Sequence, residues 1–301
     1  ESQLRHFIES NDATQLLPMA ATVEQLKKVN GQHNLLSYLQ AELSLNQGDY
    51  AQAVELFKKS IGLQPRFLKA YAGLSDAYIE LNEIKMAEDI LLQAFKLMPN
   101  NTTVIANVGA LHYNNGEYNR AINYFELLAQ QVPNNYIAHL NISACHYLLG
   151  DTEQAIIAAE KSISIQPNAD GFANLGTYYF MLKDFNKAVE AYEQMIALND
   201  SDYINWGNLA DAYRFANNSK YIGAFRQAII LSEQAVVLNP NNKNDNFLIA
   251  AAYVRLNMKK AAIKHIKSAM NKNYSLAEVA NSPLFDDLKE DPEYLKMLII
   301  N

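Results

Sequence analysis

The chain has 301 residues, half of them hydrophobic, and a net charge of −7, so it can bury a large core, while its scattered basic residues offer no stripe for nucleic acid or an anionic membrane. Its one cysteine, Cys145, excludes an internal disulfide framework and a cysteine-rich metal site, and reads as a small core residue. No apolar run reaches the roughly 18 to 20 residues of a membrane span and no signal-peptide pattern follows the first residue, so the sequence reads as a soluble piece of a longer protein whose partner is a protein or peptide.

Glycine numbers 11 and proline 8, and strand-like alternation between turn signals is hard to find, which makes all-α the expected class. Residues 1–33 read as a degenerate N-terminal helical cap: Leu4, Phe7 and Ile8 lead to a break at Pro18, and Thr22 with Gln25 has the form of a capping box. From there a fixed period takes over. Pro65, Pro99, Pro133 and Pro167 are spaced by 34 residues, and Pro240 closes a later segment. Ala53, Ala87, Ala121, Ala155, Ala188, Ala228 and Ala262 keep the same beat, with spacings of 34, 34, 34, 33, 40 and 34.

Each of these alanines has an earlier small partner, in order Ala41, Ser75, Gly109, Ser143, Gly176, Ala210 and Ala250. A proline just past a helix end stops it, and the Asn-Asn pairs after Pro99, Pro133 and Pro240 supply caps for the next helix. Small residues on both helices of a pair let their axes approach closely. Seven segments follow: 34–67, 68–101, 102–135, 136–168, 169–202, 203–242 and 243–276.

The sixth is the clearest. Trp206, Leu209, Ala210 and Tyr213 fall on one helical stripe with a small residue inside it. A one-residue deletion falls around Asn168 to Asp170, and six extra residues lengthen the turn between the helices near Asn217 to Gly223. Residues 277–301 form a C-terminal helical cap, because a terminal repeat would otherwise expose its apolar face.

These residues carry a resemblance. Tyr71, Leu74, Tyr78, Ala87, Ala94 and Pro99, and again Trp206, Leu209, Ala210, Tyr213, Ala228, Ala235 and Pro240, resemble the tetratricopeptide (TPR) helix-turn-helix pattern. The resemblance covers 34–276 and implies a right-handed superhelix of about seven motifs that binds proteins or peptides. Asn273-Tyr-Ser-Leu-Ala-Glu and Asn281-Ser-Pro-Leu-Phe-Asp-Asp-Leu, within 169–299, are also similar to TPR regions C-terminal to bacterial serine/threonine kinases, nucleotide cyclases and winged-helix regulators. That likeness implies a signalling domain upstream, and leans toward the periplasm because such parents are often membrane-anchored.

The candidate binding residues are periodic too. Asn107, Asn141, Asn174 and Asn208 are spaced by 34, 33 and 34, each two residues before the small residue of its helix. Asparagine is a mediocre helix former, and a side-chain amide both donates to and accepts from a peptide backbone of any sequence. In the TPR pattern this position faces inward, and the series resembles the asparagine ladder of O-linked N-acetylglucosamine transferase, which implies an extended peptide as ligand. The alternative is that the amides bond to neighbouring helices or water.

Six residues after each asparagine, Tyr113, Tyr147, Phe180 and Arg214 form a second inward row, either as anchors of a binding surface or as packing on the floor of the superhelix. Asp211, beside Ala210, joins the candidates. The positions at which carboxylate-clamp TPRs hold basic residues carry Tyr38, Lys69, Ala72 and Ala106, so a C-terminal carboxylate is not the expected ligand.

His112 and His146 occupy equivalent positions where the repeat has a packing tyrosine; they read as core residues, and a metal site would need further ligands converging on them. No nucleophile-elbow, phosphate-loop or His-Glu-x-x-His pattern is present, so no enzyme activity and no cofactor are expected. The rival to peptide capture is an oligomerisation or rigid spacer module.

Overall fold

The computed structural model describes residues 34–239, 243–271 and 274–300. The expected N-terminal cap, Pro240 with the Asn-Asn pair after it, and Asn273 lie outside the described residues.

Seven helix pairs follow one another: α1 (Asn34–Asn46) with α2 (Tyr50–Leu63), α3 (Leu68–Glu80) with α4 (Ile84–Leu97), α5 (Thr102–Asn114) with α6 (Tyr118–Gln131), α7 (Tyr136–Leu148) with α8 (Thr152–Ile165), α9 (Ala169–Met181) with α10 (Phe185–Leu198), α11 (Tyr203–Phe215) with α12 (Tyr221–Leu238), and α13 (Lys243–Arg255) with α14 (Lys259–Met270). After them come α15 (Leu276–Ala280), a 3-10 helix η1 (Pro283–Leu288) and α16 (Pro292–Ile300). There is no strand among the described residues.

The punctuation is local chemistry. Pro65, Pro99, Pro133 and Pro167 each stand two residues past a helix end. Asn101 accepts from the amides of Thr103 and Val104 to cap α5, and Asn135 accepts from that of Ala138. The first helix of every pair ends alike: the second residue past it has positive φ, in order Gly48, Asn82, Gly116, Gly150, Lys183, Asn217 and Asn257. The following amide then bonds five residues back, as in Glu83 to the Tyr78 carbonyl at 2.8 Å and Asn218 to that of Tyr213 at 2.8 Å. This is a Schellman end, which suits glycine and asparagine because they tolerate the left-handed region.

The one-residue deletion is a shortened loop before α9, where Asn168 caps the helix by accepting from Gly171. The insertion differs from expectation. Only part of it lengthens the turn, which runs 216–220 where its counterparts have three residues, and the rest adds a helical turn to the start of α12, 18 residues long against 14 for α10. In that added turn Ala224 is buried and Tyr221 packs against the same core, and that burial favours helix over loop.

The chain divides into two compact units, residues 1–138 and 139–301. In the first, Leu39, Phe57, Tyr71 and Leu74 form a fully buried core with Ala41, Ala53, Ala70, Ala77, Ala87 and Ala94. Helix approach is close: a Cβ on Gly109 would lie 2.7 Å from the Phe125 ring. In the second unit Gly176 meets Tyr192 in the same way, at 2.4 Å. There Leu209, Ala210 and Tyr213 are buried as the stripe requires, while Trp206 is half-buried and donates its indole N–H to the Asp200 carbonyl at 2.7 Å. At the end of this unit Val279, Phe285, Leu288, Tyr294 and Met297 cover the apolar faces of α13 and α14 through Ala250, Val254, Ile263 and Ile266.

Candidate functional site

The four asparagines lie one per helix on α5, α7, α9 and α11. Asn107 belongs to the first unit and the other three to the second. Each precedes buried helix-packing residues, Val108-Gly109, Ile142-Ser143, Leu175-Gly176 and Leu209-Ala210, so the backbone holds it at the margin of the packed stripe. Asn107, Asn141 and Asn174 are half-buried and Asn208 is exposed. Among the described residues none of the four side-chain amides has a hydrogen-bond partner. Of the two arms of the alternative read from the sequence, bonding to neighbouring helices is absent among the described residues, and bonding to water is the other.

The second row is engaged in ring contacts. Tyr113 meets Tyr118 edge-on at 5.8 Å, Tyr147 stacks on Tyr178 at 4.8 Å, and Phe180 packs edge-on against Phe185 at 5.3 Å and Phe215 at 5.4 Å. Arg214 is exposed and lies over the Phe215 ring at 5.6 Å. Beside the row runs a column the sequence reading missed: Leu148, Met181 and Phe215 end α7, α9 and α11 in equivalent positions, with exposures of 45%, 62% and 50%. Its signal was available in the 33- and 34-residue spacing of three large apolar residues at helix ends.

Asp211 is not a free carboxylate. It accepts from Arg255 Nε at 2.8 Å, and Arg255 Nη1 also donates to the Ala251 carbonyl at 3.3 Å. This half-buried pair stands at a cavity of about 210 Å³ in the second unit. The wall on α11 is Tyr203, Ile204, Gly207, Asn208 and Asp211, and that on α13 is Leu248, Ala251, Ala252 and Arg255. Phe225, Ala228 and Ser232 of α12 and Leu284 of η1 complete it.

In the first unit the corresponding face is acidic. Burial raises the Glu42 carboxyl above its usual range, opposed by the hydrogen bond from Tyr38. Asp76, open to solvent on one side, is raised by partial desolvation and then by Glu80.

His112 is buried, as its place in the repeat suggests, and stacks on Tyr124 at 5.4 Å. Its Nδ1 lies 2.6 Å from Glu117 Oε2, and Glu88 completes a trio of metal-ligating type. The trio already holds a cation: Arg120 Nη1 is 3.0 Å from Glu88 and 2.9 Å from Glu117. Arg120 first, and His112 second, hold the Glu117 carboxyl below its usual range. His112 Nε2 is buried without a partner, so the ring proton belongs on Nδ1, facing the carboxylate. The arrangement ties α4, α5 and α6 together, and a metal would have to displace the arginine. His146 Nδ1 lies 3.9 Å from Asp151 in the second unit.

Among the described residues no helix is long and apolar enough to cross a membrane. Three family models, each described as "Tetratricopeptide repeat", match residues 44–110, 109–170 and 169–202, together more than half the chain. No curated protein matches. Yeast Tom70 is similar in structure, with a TM-score of 0.65 at 16% identity over 96% of this chain and 63% of that one. A tetratricopeptide repeat protein from Parabacteroides merdae gives 0.58 at 17% over 89% and 100%. A chain of the APC/C hetero-tetramer Cut9-Hcn1 gives 0.55 at 18% over 93% and 59%. At these identities the likeness is one of fold, and the chain spans about three fifths of the Tom70 and Cut9-Hcn1 chains. TPR proteins bind protein or peptide partners. With its seven consecutive helix pairs, close helix approaches and three matching repeat models, this chain belongs to the tetratricopeptide repeat family.

Proposed function

We propose that the chain is a peptide-binding scaffold without catalytic chemistry of its own, holding an extended segment of a partner protein along the face that carries Asn141, Asn174 and Asn208. Asn107 offers the same contact in the first unit. The observation that carries this reading is the series of in-register amides that have no hydrogen-bond partner among the described residues. An amide pairs with the C=O and N–H of an extended backbone at once. Each such bond nets about 0.5–1.5 kcal/mol, so affinity arises from several together. Tyr147, Phe180 and Arg214, six residues after an amide on the same helix, and Asp211, three residues after Asn208, would sort side chains. On the likeness of 169–299 to bacterial signalling proteins, the parent is a signalling protein and this is its interaction or sensory region.

The test uses a phage-displayed random dodecapeptide library to select a binder, then calorimetry with Asn141→Ala/Asn174→Ala. Four lost hydrogen bonds, two at each position, predict an affinity at least about 30-fold weaker with the helical content unchanged. Unchanged affinity overturns the reading. A second reading, self-association, is favoured by the exposed column Leu148, Met181 and Phe215. Light scattering that finds a dimer, abolished by Met181→Glu, would support it instead.

A further inference from the structure

The cavity between α11 and α13 of the second unit is opened by two absent side chains, one on α12 and one on α11. Four residues after the periodic alanine, the second helices of the other pairs carry Phe57, Leu91, Phe125, Ala159, Tyr192 and Ile266. Here the residue is Ser232, buried, with its hydroxyl satisfied by the Ala228 carbonyl of its own helix at 2.6 Å. Gly207 removes a second side chain from the wall, and a Cβ built on it would meet nothing within 4 Å. On α11 the lining residues recur at 204, 207, 208 and 211, and on α13 at 248, 251, 252 and 255, so each helix turns one continuous face to the space.

Its chemistry is divided. Phe225, Ala228, Leu248, Ala251 and Ala252 make the walls apolar, and Leu284 of η1 adds a branched side chain from the C-terminal segment. The polar groups are few: the Asn208 amide, the Asp211–Arg255 pair, and the hydroxyls of Tyr203 and Ser232, which donate to Asp245 and Ala228. The ion pair is single-point, Nε to Oδ1. Among the described residues Asp211 Oδ2 accepts no other bond, and Arg255 keeps donors beyond Nε and Nη1. A neutral rim with one spare acceptor, spare donors and an amide complements a peptide unit, which offers one N–H and one C=O. It does not complement a net charge, and an ammonium or carboxylate placed against the apolar walls would lose its hydration without a partner. In size, about 210 Å³ exceeds the roughly 150 Å³ that accommodates a benzene ring in an engineered protein cavity.

We propose that this cavity is a docking pocket for one large, uncharged apolar side chain of an extended peptide, of leucine or methionine size, whose adjoining peptide unit is held by Asn208, Asp211 and Arg255. The assignment rests on the peptide-binding reading and adds to it a residue class and a register: the anchor side chain enters where α11 faces α13.

The test needs no natural partner. With the full chain methyl-labelled, N-acetyl-leucine methylamide is titrated and the carbon-13 NMR signals of Ala228, Ala251 and Ala252 are followed. Saturable shifts at those methyls are expected, with N-acetyl-lysine methylamide and N-acetyl-leucine carboxylate producing less than about a fifth of the effect at equal concentration, since an unpaired charge costs more than one decade in binding. Ser232→Leu, which installs the residue of the second pair, fills the space and should abolish the shifts; circular dichroism checks its fold. Asn208→Ala, at an exposed position, should weaken the titration about two- to tenfold while the same methyls respond. Absence of saturable shifts, equal shifts from the lysine compound, or persistence in Ser232→Leu overturns the pocket. Asn141→Ala/Asn174→Ala lines no part of the cavity and should leave the titration unchanged. If it does while library peptides bind that variant normally, the amide ladder fails and the pocket stands; if ladder binding is lost in that variant but the leucine probe never binds, the pocket alone fails.

Discussion

The two units share one helix-pair design and present different chemistry on the equivalent helix positions. In the first two pairs of the first unit the residue beside the small packing position is Glu42 or Asp76, while the place two residues before it is taken by buried Leu39 and Gly73; the third pair already carries Ala110 and Asn107 there. In the second unit that earlier place belongs to Asn141, Asn174 and Asn208, and the acidic position holds Ala144 and Thr177 before Asp211. Only α11 carries an amide in one register and an acid in the other, and there Arg255 neutralises the acid. A repeat fold fixes where side chains point. It leaves the choice among charge, amide and apolar surface to positions that the packing does not use.

The largest expected effect tests whether the packing itself is local to a unit. Gly176→Val forces a β-branched side chain into the Tyr192 ring and should cost about 3 kcal/mol. Hydrogen exchange should then quicken in α9 and α10; equal acceleration through α1–α4 would erase the division into two units. Next in size, Tyr147→Ala removes a ring stacked on Tyr178 and should cost about 1–3 kcal/mol in thermal unfolding. A shift of less than about 1 °C, with peptide affinity reduced, would move Tyr147 from packing to recognition.

Smaller still is the electrostatic contrast. Glu42 has a raised carboxyl pKa in the folded chain, so between its unfolded and folded values the native state binds the extra proton and stability falls as pH rises. Glu42→Gln should therefore raise the melting temperature by about 1–3 °C at pH 7 and lose that advantage at pH 4, below both values. An equal gain at both pH values would remove ionisation as the cause. The smallest effect is at Lys183, a side chain in the left-handed region where other pairs use glycine or asparagine. Lys183→Gly should stabilise by about 0.5–1 kcal/mol in urea titration, bringing α9 into line with α5 and α7.

Much of this fold is written in the sequence because its signals are additive. The 34-residue spacing of proline and alanine places every helix pair from 34 onward, and Gly48, Gly116 and Gly150 mark helix ends in the usual alphabet of left-handed residues. Lys183 does not, which is why the seventh-fold regularity of those ends is plain only in the structure. The six-residue insertion reads as loop because Asn217, Asn218 and Ser219 are turn formers; burial of Ala224 and packing of Tyr221 turn the rest of it into helix. The pocket was least legible. It depends on what Ser232 and Gly207 lack, and on Arg255 and Leu284 arriving from later elements, so no local pattern announces it. Asp211 was singled out from sequence without its partner, since a 44-residue separation hides an ion pair.

The repeated helix ending also has a bearing on how such a chain changes length. Each first helix is closed by its own Schellman bonds before the next begins, so residues added after the left-handed position leave the first helix as it is and are taken up by the turn and the start of the second. The sixth pair demonstrates the freedom: its extra residues all lie after Asn217, and Leu209, Ala210 and Tyr213 remain buried as their counterparts are. That edge is therefore the molecule's splice point, the place where evolution or an engineer can write new sequence while the recognition faces keep their register.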